Sequence, residues 1–451
     1  MTPDELLAIG DSVVSQARPG EQVEAVATWS RETEARAYDG AVEAFTSAES
    51  AGIGVRVVAD HRAGFAWAGT FEPSAISDAL AEARDNASFA TPDPHAGLAE
   101  PDGVDLPVLD LFDERLAATS TDDKIAMVIE LEAAIRAADP RISGVESVEY
   151  ADETACAAVV SSTGIRTSSL ETACSLAAYI LASDGDETTT GFGFSVGRHP
   201  GELNAESTTA DAVMRAVRML GAKPARSERL TIVLDPWVTA QFLGIIAGVF
   251  AGDSVLKGRS LFAARLGEQV ASPLVTLVDD PTDPRAWGAT ETDGEGLATR
   301  STTLIDSGTA SAFLHDSYTA RALGVTSTGS AVRYGFKSTP SPGPQAVTLV
   351  PGSSTAEEIW AQVGDGLLIQ EVSGLHSGVN PVSGDFSTGA EGVRIRNGVP
   401  AESVREVTIA STLQRMLSEV VAVGSDIEYF PMDASGVSLA IADVTLSGGG
   451  E

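Results

Sequence analysis

The chain has few residues of the types that most often bind metals or form cross-links. Among its 451 residues there are two cysteines and five histidines. The cysteines lie outside any C-x-x-C pattern, and no two histidines have the spacing of a metal-binding pair. A zinc ribbon and a dithiol redox centre are therefore excluded.

The two cysteines, Cys156 and Cys174, lie at equal distances from Ile165 along the chain. If residues 154–161 and 168–176 pair as a hairpin, the two thiols could become neighbours. Nothing in the sequence indicates an oxidising compartment, which a lasting disulfide requires. We expect two reduced, buried thiols with no chemical role.

Long apolar runs are also missing. The longest strongly apolar stretch, 242–251, is too short to cross a bilayer. The first residues, Thr2-Pro3-Asp4-Glu5, are acidic and have the pattern of a capped helix start, which differs from the basic start of a signal peptide. The sequence therefore predicts a cytoplasmic protein that does not insert into a membrane.

Positive charge is scarce. The chain has 29 lysines and arginines against 64 aspartates and glutamates, which gives a net charge of −35. A field of this sign repels nucleic acid and anionic membranes, so we expect neither as a partner. Such an excess of acids suits a salt-rich cytoplasm, in which ions screen the self-repulsion, and a compositional bias of the genome would explain the same numbers.

Short strand-like runs, separated by glycine or charged residues, are abundant, and a smaller number of amphipathic helices joins them. A chain of this length with 43% hydrophobic residues can form two or three cores. We predict an α+β fold with N-terminal mixed strand and helix domains over 1–120 and 121–225. A C-terminal antiparallel β-barrel-like domain with a few helices is predicted over 226–451. A proline-rich stretch at 91–107 is predicted to be a surface linker.

Local patterns in the first half predict individual elements. A helix is predicted over 121–138, ended by Pro140. Short separate strands, several of them in an antiparallel meander, are predicted at 23–29, 41–47, 54–59, 64–70, 144–150 and 155–161.

The stretch from Gly366 to Gly424 makes further predictions. Asn397-Gly398 lies between two strand-like runs and predicts a hairpin, because both turn residues must accept a positive φ. An apolar stripe predicts a helix from about Ser411. The loop 376–389 is dense in glycine, serine, asparagine and aspartate, and such a tightly built loop is usually functional or lies at a junction.

The second half of the chain carries a series of short motifs. Near the C terminus they are Gly378-Val379-Asn380, Ser383-Gly384-Asp385-Phe386-Ser387, Gly392, Asn397-Gly398, Thr408-Ile409-Ala410 and Val423-Gly424-Ser425-Asp426-Ile427. Upstream they are Gly258-Arg259-Ser260, Leu266-Gly267-Glu268, 274–280, Asp293-Gly294-Glu295-Gly296, Leu304-Ile305-Asp306, Tyr318-Thr319-Ala320-Arg321 and Ser327-Thr328-Gly329. In this order they resemble the TldD/PmbA family, more closely its PmbA (TldE) branch. The first half resembles the family only in layout.

The resemblance also shows what this chain lacks. The catalytic branch, TldD, carries an H-E-x-x-x-H helix, in which two imidazoles bind zinc and the glutamate can act as base, and a later cysteine ligand. When the helix is anchored on Gly252-Asp253, its ligand and base positions fall here on Leu243, Gly244 and Gly248. The tail, 427–447, has no cysteine. The resemblance therefore implies the branch without a zinc site, and we expect no metal, no cofactor and no catalytic residue.

A few other residues could line a cleft or an interface, and most of them also have a structural interpretation. His376 could hold a backbone carbonyl in its loop, the Asp279-Asp280 pair could cap a strand end before proline, and Glu295 could lie in a solvated loop. The full set of candidates is His376, Asn380, Asp385, Phe386, Asp279, Asp280 and Glu295.

The resemblance implies a non-catalytic subunit that assembles with a TldD-like zinc peptidase. The pair would form a chamber that cleaves unfolded or modified peptides, including leader peptides, and exposed strand edges could hold the peptide. Two alternatives remain at this point. One is a stand-alone homodimer that binds peptides. The other is an independent hydrolase with a site rebuilt around His376, Asp385, Asp279 and Glu295.

Overall fold

The first half of the structure, a computed structural model in which residues 1–450 are described, is built on long strands. Its elements are α1 (Pro3–Val14), β1 (Glu21–Tyr38), β2 (Ala41–Ala59), β3 (Arg62–Ala68), α2 (Pro73–Phe89), α3 (Glu114–Ala118), α4 (Thr121–Ala138), β4 (Ile142–Ser161), β5 (Arg166–Asp184), β6 (Glu187–Gly197) and α5 (Ala205–Arg218). The strands form one antiparallel sheet in the order β3-β2-β1-β4-β5-β6.

Helices cover one face of this sheet. On β1, Val23 and Ala25 pack under α1 and α2, and Ala35 and Ala37 pack under α4 and α5. All four have odd numbers, so they lie on the same face of the strand. The opposite face meets the second half of the chain, where Val26 lies in a cluster with Leu297. The β1–β4 pairing makes the sheet continuous across residues 120–121, and the division into domains over 1–120, 121–225 and 226–451 stays a prediction.

The strand predicted at 64–70 corresponds to the seven-residue β3, but the prediction of short separate strands is wrong for β2 and β4. Residues 41–47 and 54–59 belong to one strand, because Gly52 and Gly54 leave room for Phe336 from the second half to pack against the sheet. Residues 144–150 and 155–161 also form one strand. The charged residues between them continue the pleat, and Asp152 is buried in an ion pair with Lys124 at 2.6 Å. A local pattern of glycines and charges cannot distinguish such positions from turns.

The cysteines are free and buried, as expected. They are not neighbours, because the β4–β5 register pairs Cys156 with Leu170 and Cys174 with Asp152. The hairpin turns two residues earlier than the symmetry about Ile165 suggested. Burial raises the pKa of Cys156 to about 11 and that of Cys174 to about 12, which keeps both thiols protonated.

The second half contains shorter strands and several small helices. Its elements are β7 (Arg226–Leu234), α6 (Pro236–Val249), α7 (Gly252–Leu256), β8 (Leu277–Asp279), β9 (Thr302–Asp306), β10 (Thr309–Ala310), α8 (Ser317–Leu323), β11 (Ala331–Val332), β12 (Ser341–Pro342), β13 (Val347–Leu349), α9 (Ala356–Val363), β14 (Gly366–Ser373), α10 (Leu375–Gly378), β15 (Asp385–Arg396), β16 (Val399–Thr412), α11 (Leu413–Ser418), β17 (Val420–Val423) and β18 (Leu439–Gly449).

Five of these strands close into a ring. The sheet runs β16-β15-β14-β7-β18, and a further pairing joins β16 to β18, so no edge remains between them. Every seam is antiparallel except β14–β7, which is parallel. The predicted α+β fold with a C-terminal barrel is confirmed. Across residues 1–450, no helix combines the length and the apolar character that a bilayer crossing needs.

The stretch from Gly366 to Gly424 folds largely as its turn residues predict. Asn397 and Gly398 have φ values of 50° and 79° and connect β15 to β16 as a hairpin. The loop 376–389 is shorter than predicted, because α10 and β15 take up its two ends. The predicted helix from Ser411 is only the six residues of α11, because Val420 pairs with Ile441 in the sheet.

Candidate functional site

Helix α6 contains Leu243, Gly244 and Gly248, the residues to which the family resemblance assigns the H-E-x-x-x-H positions. Asp235 caps its N-terminus by accepting a hydrogen bond from the Val238 N–H at 2.9 Å, and Pro236 occupies the first turn. Its inner side packs into the barrel core through buried residues that include Phe242 and Ile246. The cap and the apolar stripe together fix which side of the helix faces outward.

The three positions have different environments. Leu243 is 1% exposed and packs in the barrel core. Gly244 and Gly248 lie on the outer side, and a Cβ added to either would meet no atom within 4 Å. We call these two residues the glycine face of α6.

A zinc ion does not fit this arrangement. Leucine and glycine side chains offer no atom that could bind a metal, so the three positions supply no ligand. In the part of the chain that the structure describes, no three histidine, cysteine, aspartate or glutamate side chains come together as a metal-binding group.

An aromatic cluster connects α6 to the N-terminal sheet. The Trp237 ring in the first turn of α6 stacks on Phe194 of β6, with centroids 4.9 Å apart and planes at 19°. Phe192 lies 5.2 Å from the same tryptophan, and Phe430 meets it edge-on at 5.3 Å. The open face of the sheet therefore reaches the N-terminal end of the helix.

Sequence reasoning missed this cluster, although the alternation Gly191-Phe192-Gly193-Phe194 contains the signal. A Cβ on Gly191 would lie 2.2 Å from the Ala212 carbonyl oxygen of α5. The glycines therefore let α5 approach one face of β6, while the phenylalanines project from the other face. The alternation of glycine and phenylalanine is therefore typical of a strand that packs against a helix on one face and against aromatic rings on the other.

Charged residues surround the N-terminal end of α6. The Asp235 carboxylate forms an ion pair with Arg215 at 2.7 Å, and the Arg215 guanidinium lies 4.6 Å from the centroid of the Phe192 ring. Desolvation in the cleft between the two halves raises the pKa of Asp211, and it raises that of Glu428 to about 7, with the charges of Asp211 and Asp235 adding to the effect. Titratable groups with displaced pKa values beside an aromatic cluster mark this end of α6 as a candidate site.

The predicted candidate Asp279 lies at the end of β8. Its side chain is fully buried, and Oδ1 accepts hydrogen bonds from the N–H groups of Gln345 and Ala346 at 2.9 and 2.7 Å. Burial raises its pKa to about 6. Asp280 accepts from the N–H and the hydroxyl of Thr282 in the following turn. Both carboxylates bind neighbouring backbone or side-chain groups.

The expectation of a solvated loop is wrong for Glu295. Its side chain is 1% exposed and accepts hydrogen bonds from the N–H and the hydroxyl of Ser317, at 2.8 and 2.7 Å. Arg56 of β2 lies 3.6 Å from the same carboxylate and also pairs with Glu24, which binds Arg333 at 2.6 Å. Glu295 is buried because this network joins the two halves of the chain.

The loop after α10 holds the other candidates. His376 is exposed, and within residues 1–450 its ring forms no hydrogen bond. Asn380 accepts from the N–H groups of Val382 and Ser383, and the Ser383 hydroxyl donates to Asp385 at 2.6 Å. Phe386 is buried against Phe242 of α6, with ring centroids 6.3 Å apart. These hydrogen bonds order the loop, and the Phe386 contact anchors it to the barrel core at α6.

The His376 and Asp385 side chains are exposed, whereas Asp279 and Glu295 are buried and bonded within the protein. In the described residues these four therefore do not form one reactive group. Asp316 caps α8 by accepting a hydrogen bond from the Thr319 N–H at 2.8 Å.

Comparison with known protein families finds three consecutive matches. A model of the PmbA/TldA metallopeptidase domain 1 matches residues 23–87, and one of the central domain matches 114–220. A model of the PmbA/TldA metallopeptidase C-terminal domain matches 227–448. Together the three matches cover most of the chain, in order.

Individual relatives agree with these matches. Metalloprotease PmbA of Escherichia coli O157:H7 is 28% identical over 379 residues, which cover 83% of this chain and 81% of that protein. A protein of Methanothermobacter thermautotrophicus named metalloprotease is 29% identical over 396 residues, which cover 86% of this chain and 84% of that protein.

Solved structures share the whole fold. The crystal structure of TldE from Thermococcus kodakarensis has a TM-score of 0.89 at 24% identity and covers 99% of both chains. A Thermotoga maritima protein described as a candidate modulator of DNA gyrase has the same TM-score and identity and covers 99% of this chain and 100% of its own. At this identity the likeness shows the fold.

Proposed function

Because this chain belongs to the PmbA/TldD metallopeptidase family and is consistent with its PmbA/TldE branch, we propose that it is a non-catalytic subunit of a zinc peptidase. Its partner is a TldD-like chain that holds the zinc. The two chains together enclose a chamber in which unfolded or modified peptides are cut, as in leader-peptide removal and peptide degradation in the cytoplasm.

The observation that carries this proposal is the chemistry of α6. The helix lies beside the barrel and the sheet, and the family resemblance assigns the positions of the zinc ligands and the base to Leu243, Gly244 and Gly248. A buried leucine and two glycines can neither bind a metal nor move a proton. Peptide cleavage in such a complex must therefore take place on the partner.

The open face of the N-terminal sheet supports a chamber wall. On this face, residues of β4 and β5 such as Ala155, Ala157 and Ser169 are half-buried, and helices cover only the opposite face. The wall is bounded by the aromatic cluster at Trp237 and by the contact of Val26 with Leu297. The small side chains of Ala155, Ala157 and Ser169 leave space for an extended peptide, and Glu171, opposite Ala155, lies on the same face.

The test is to co-express this chain with its cognate TldD-like protein and to measure cleavage of an unstructured peptide. We expect a stable complex that cleaves the peptide, and complete loss of cleavage when the partner's zinc-binding histidines are replaced. As matched control, Gly244→His in this chain should leave cleavage dependent on the partner. Cleavage that survives loss of the partner's histidines would overturn the proposal.

The second candidate is a homodimer that binds peptides without a protease. The observation in its favour is the edge of β2, where residues 41–50 are exposed along their whole length because β3 pairs only with 53–59. An unpaired edge of this kind can add a strand from a second chain. Light scattering of the chain with and without the TldD-like protein distinguishes the two, since the proposal expects a hetero-complex.

A further inference from the structure

A small pocket lies where the N-terminal sheet meets the barrel. Phe192 of β6, Arg215 of α5, Gln370 and Glu371 of β14, and Glu391 of β15 line it. The enclosed space is about 10 Å³, which is close to the minimum that holds one water-sized group.

A β-bulge shapes this pocket. Ile369 faces Gly392 and Glu371 faces Glu391, so Gln370 is an extra residue with no partner across the strands. In a regular strand, Gln370 and Glu371 would point to opposite faces. The bulge accounts for the presence of both residues in the lining of one pocket.

Two carboxylates face each other in the lining of this pocket. Glu371 and Glu391 are direct cross-strand neighbours, and like charges in such a pair destabilise a sheet. Within residues 1–450 neither carboxylate forms an ion pair. Arg215 also lines the pocket, and its Nη1 binds Asp235 and the Gln370 carbonyl oxygen at 2.7 and 2.9 Å in place of either carboxylate.

Arg405, the cation near Glu391, forms its ion pair with Glu187 at 3.0 Å. Glu371 is exposed on its outer side and Glu391 is half-buried. Partial desolvation and the facing Glu391 charge raise the pKa of Glu371 against the opposing charge of Arg215, and desolvation raises the pKa of Glu391 against that of Arg405. Both carboxylates would therefore gain from a cation placed between them.

A buried amide oxygen adds a third acceptor. Gln370 is only 5% exposed, and its Oε1 has no hydrogen-bond partner, while its Nε2 donates to the Met214 sulfur at 3.5 Å. A buried polar atom without a partner destabilises the fold, because it has lost its hydrogen bond to water and gained none within the protein. Such an atom in a pocket lined by two unpaired carboxylates indicates a missing donor.

We propose that this pocket binds a primary ammonium group, either the N-terminus of a peptide or a lysine side chain. An ammonium group has three N–H donors, which match two carboxylates and one amide oxygen. A hard divalent cation usually needs six or more oxygens and fits less well. Phe192 lies 5.2 Å from Trp237 at the start of α6, so a peptide held here would continue along the aromatic cluster. The inference rests on the proposed function in that the ligand is a peptide.

The first experiment compares labelled peptides by fluorescence anisotropy with the full chain. A lysine-free peptide with a free N-terminus should bind about tenfold more tightly than its N-acetylated form. An acetylated peptide with one lysine shows whether a side chain can substitute. Glu391→Gln should remove the difference, and Glu357→Gln, a matched loss of one exposed charge on α9, should keep it. Equal binding of free and acetylated peptides would overturn the ammonium site while leaving the proposed function intact.

A second experiment needs no peptide. Methylammonium chloride should raise the unfolding temperature of the wild-type chain more than tetramethylammonium chloride, which has the same charge but no N–H donor. Glu391→Gln should abolish this difference, and Glu357→Gln should retain it. Equal effects of the two salts, or stabilisation by Ca²⁺ in place of methylammonium, would overturn the inference whether or not the chain binds peptides.

Discussion

Replacing Gly244 by alanine should stabilise the protein. Gly244 lies in the interior of α6, and a Cβ added there meets no atom within 4 Å. Glycine in a helix interior is about 1 kcal/mol less favourable than alanine, mainly because it leaves the unfolded chain more freedom. The free energy of unfolding should therefore rise by about 0.7–1 kcal/mol, which corresponds to roughly 2–4 °C for a unit of the size of the C-terminal half.

Thermal unfolding followed by circular dichroism measures this shift. The matched control is Gly252→Ala, at the start of α7, where the added Cβ would lie 2.4 Å from His315 Nδ1 and 2.8 Å from the Leu314 carbonyl oxygen. That variant should be destabilised. A lower unfolding temperature for Gly244→Ala would mean that protein covers the outer side of α6, and the glycine face would not exist as described.

The same position tests whether the glycine face is used. Gly244→Leu should leave the fold intact, because the space outside the helix is open, and should reduce peptide cleavage by the complex with the TldD-like partner if the peptide passes along α6. Unchanged cleavage by a stable Gly244→Leu complex would exclude the glycine face from the path of the peptide.

Three further predictions concern charge. Asp279→Asn keeps an Oδ1 that can accept both backbone N–H groups, and should flatten the pH dependence of stability. The pKa of Asp279 is raised to about 6, so the protonated carboxyl stabilises the fold by roughly 2–3 kcal/mol, and this contribution is lost as the pH rises from about 4 to about 6. Urea titrations at several pH values measure the free energy of unfolding, and the same change of this free energy with pH in both proteins would contradict the prediction. Burial opposes ionisation of Glu24, but the charges of Arg56 and Arg333 outweigh it and lower its pKa. Glu24→Gln should therefore reduce stability by roughly 3 kcal/mol at neutral pH and by less below about pH 4, where the wild-type contribution is lost as the pH falls; an equal loss at both pH values would refute it. If the acidic surface reflects a salt-rich cytoplasm, the unfolding temperature should rise between low and molar potassium chloride. An unchanged unfolding temperature would refute that explanation.

Local structure was predictable where a few neighbouring residues decide it. The bounds of α4 agree with the sequence, because Ser120 caps its start and Pro140 follows its end. The Asn397-Gly398 hairpin and the capping box between Thr2 and Glu5 are set in the same way.

Long strands and the barrel closure depend on distant residues. The glycines that suggested a break in β2 are there to admit Phe336, which lies almost 300 residues further along the chain. The seam that closes the barrel pairs Thr408 with Ser447, and nothing near either residue indicates it. Charges inside strands, such as Asp152, are tolerated because a partner like Lys124 comes from another element.

The candidate site was partly predictable. The helix at α6 was predictable from its apolar residues and its N-terminal cap, and the assignment of zinc-ligand positions to Leu243, Gly244 and Gly248 stays a prediction. The pocket at Gln370 was not predictable, because it depends on a bulge in the β14–β15 register and on arginines that are occupied by other carboxylates. The burial of Glu295 was missed for a related reason, since its partners Arg56 and Ser317 come from opposite halves of the chain.

The most direct test of the central claim is the zinc content and peptidase activity of the purified full chain without its partner. The account predicts no stoichiometric zinc and no cleavage of an unstructured peptide, with cleavage appearing only when the TldD-like chain is added. One tightly bound zinc per chain together with peptide cleavage in the absence of any partner would contradict it.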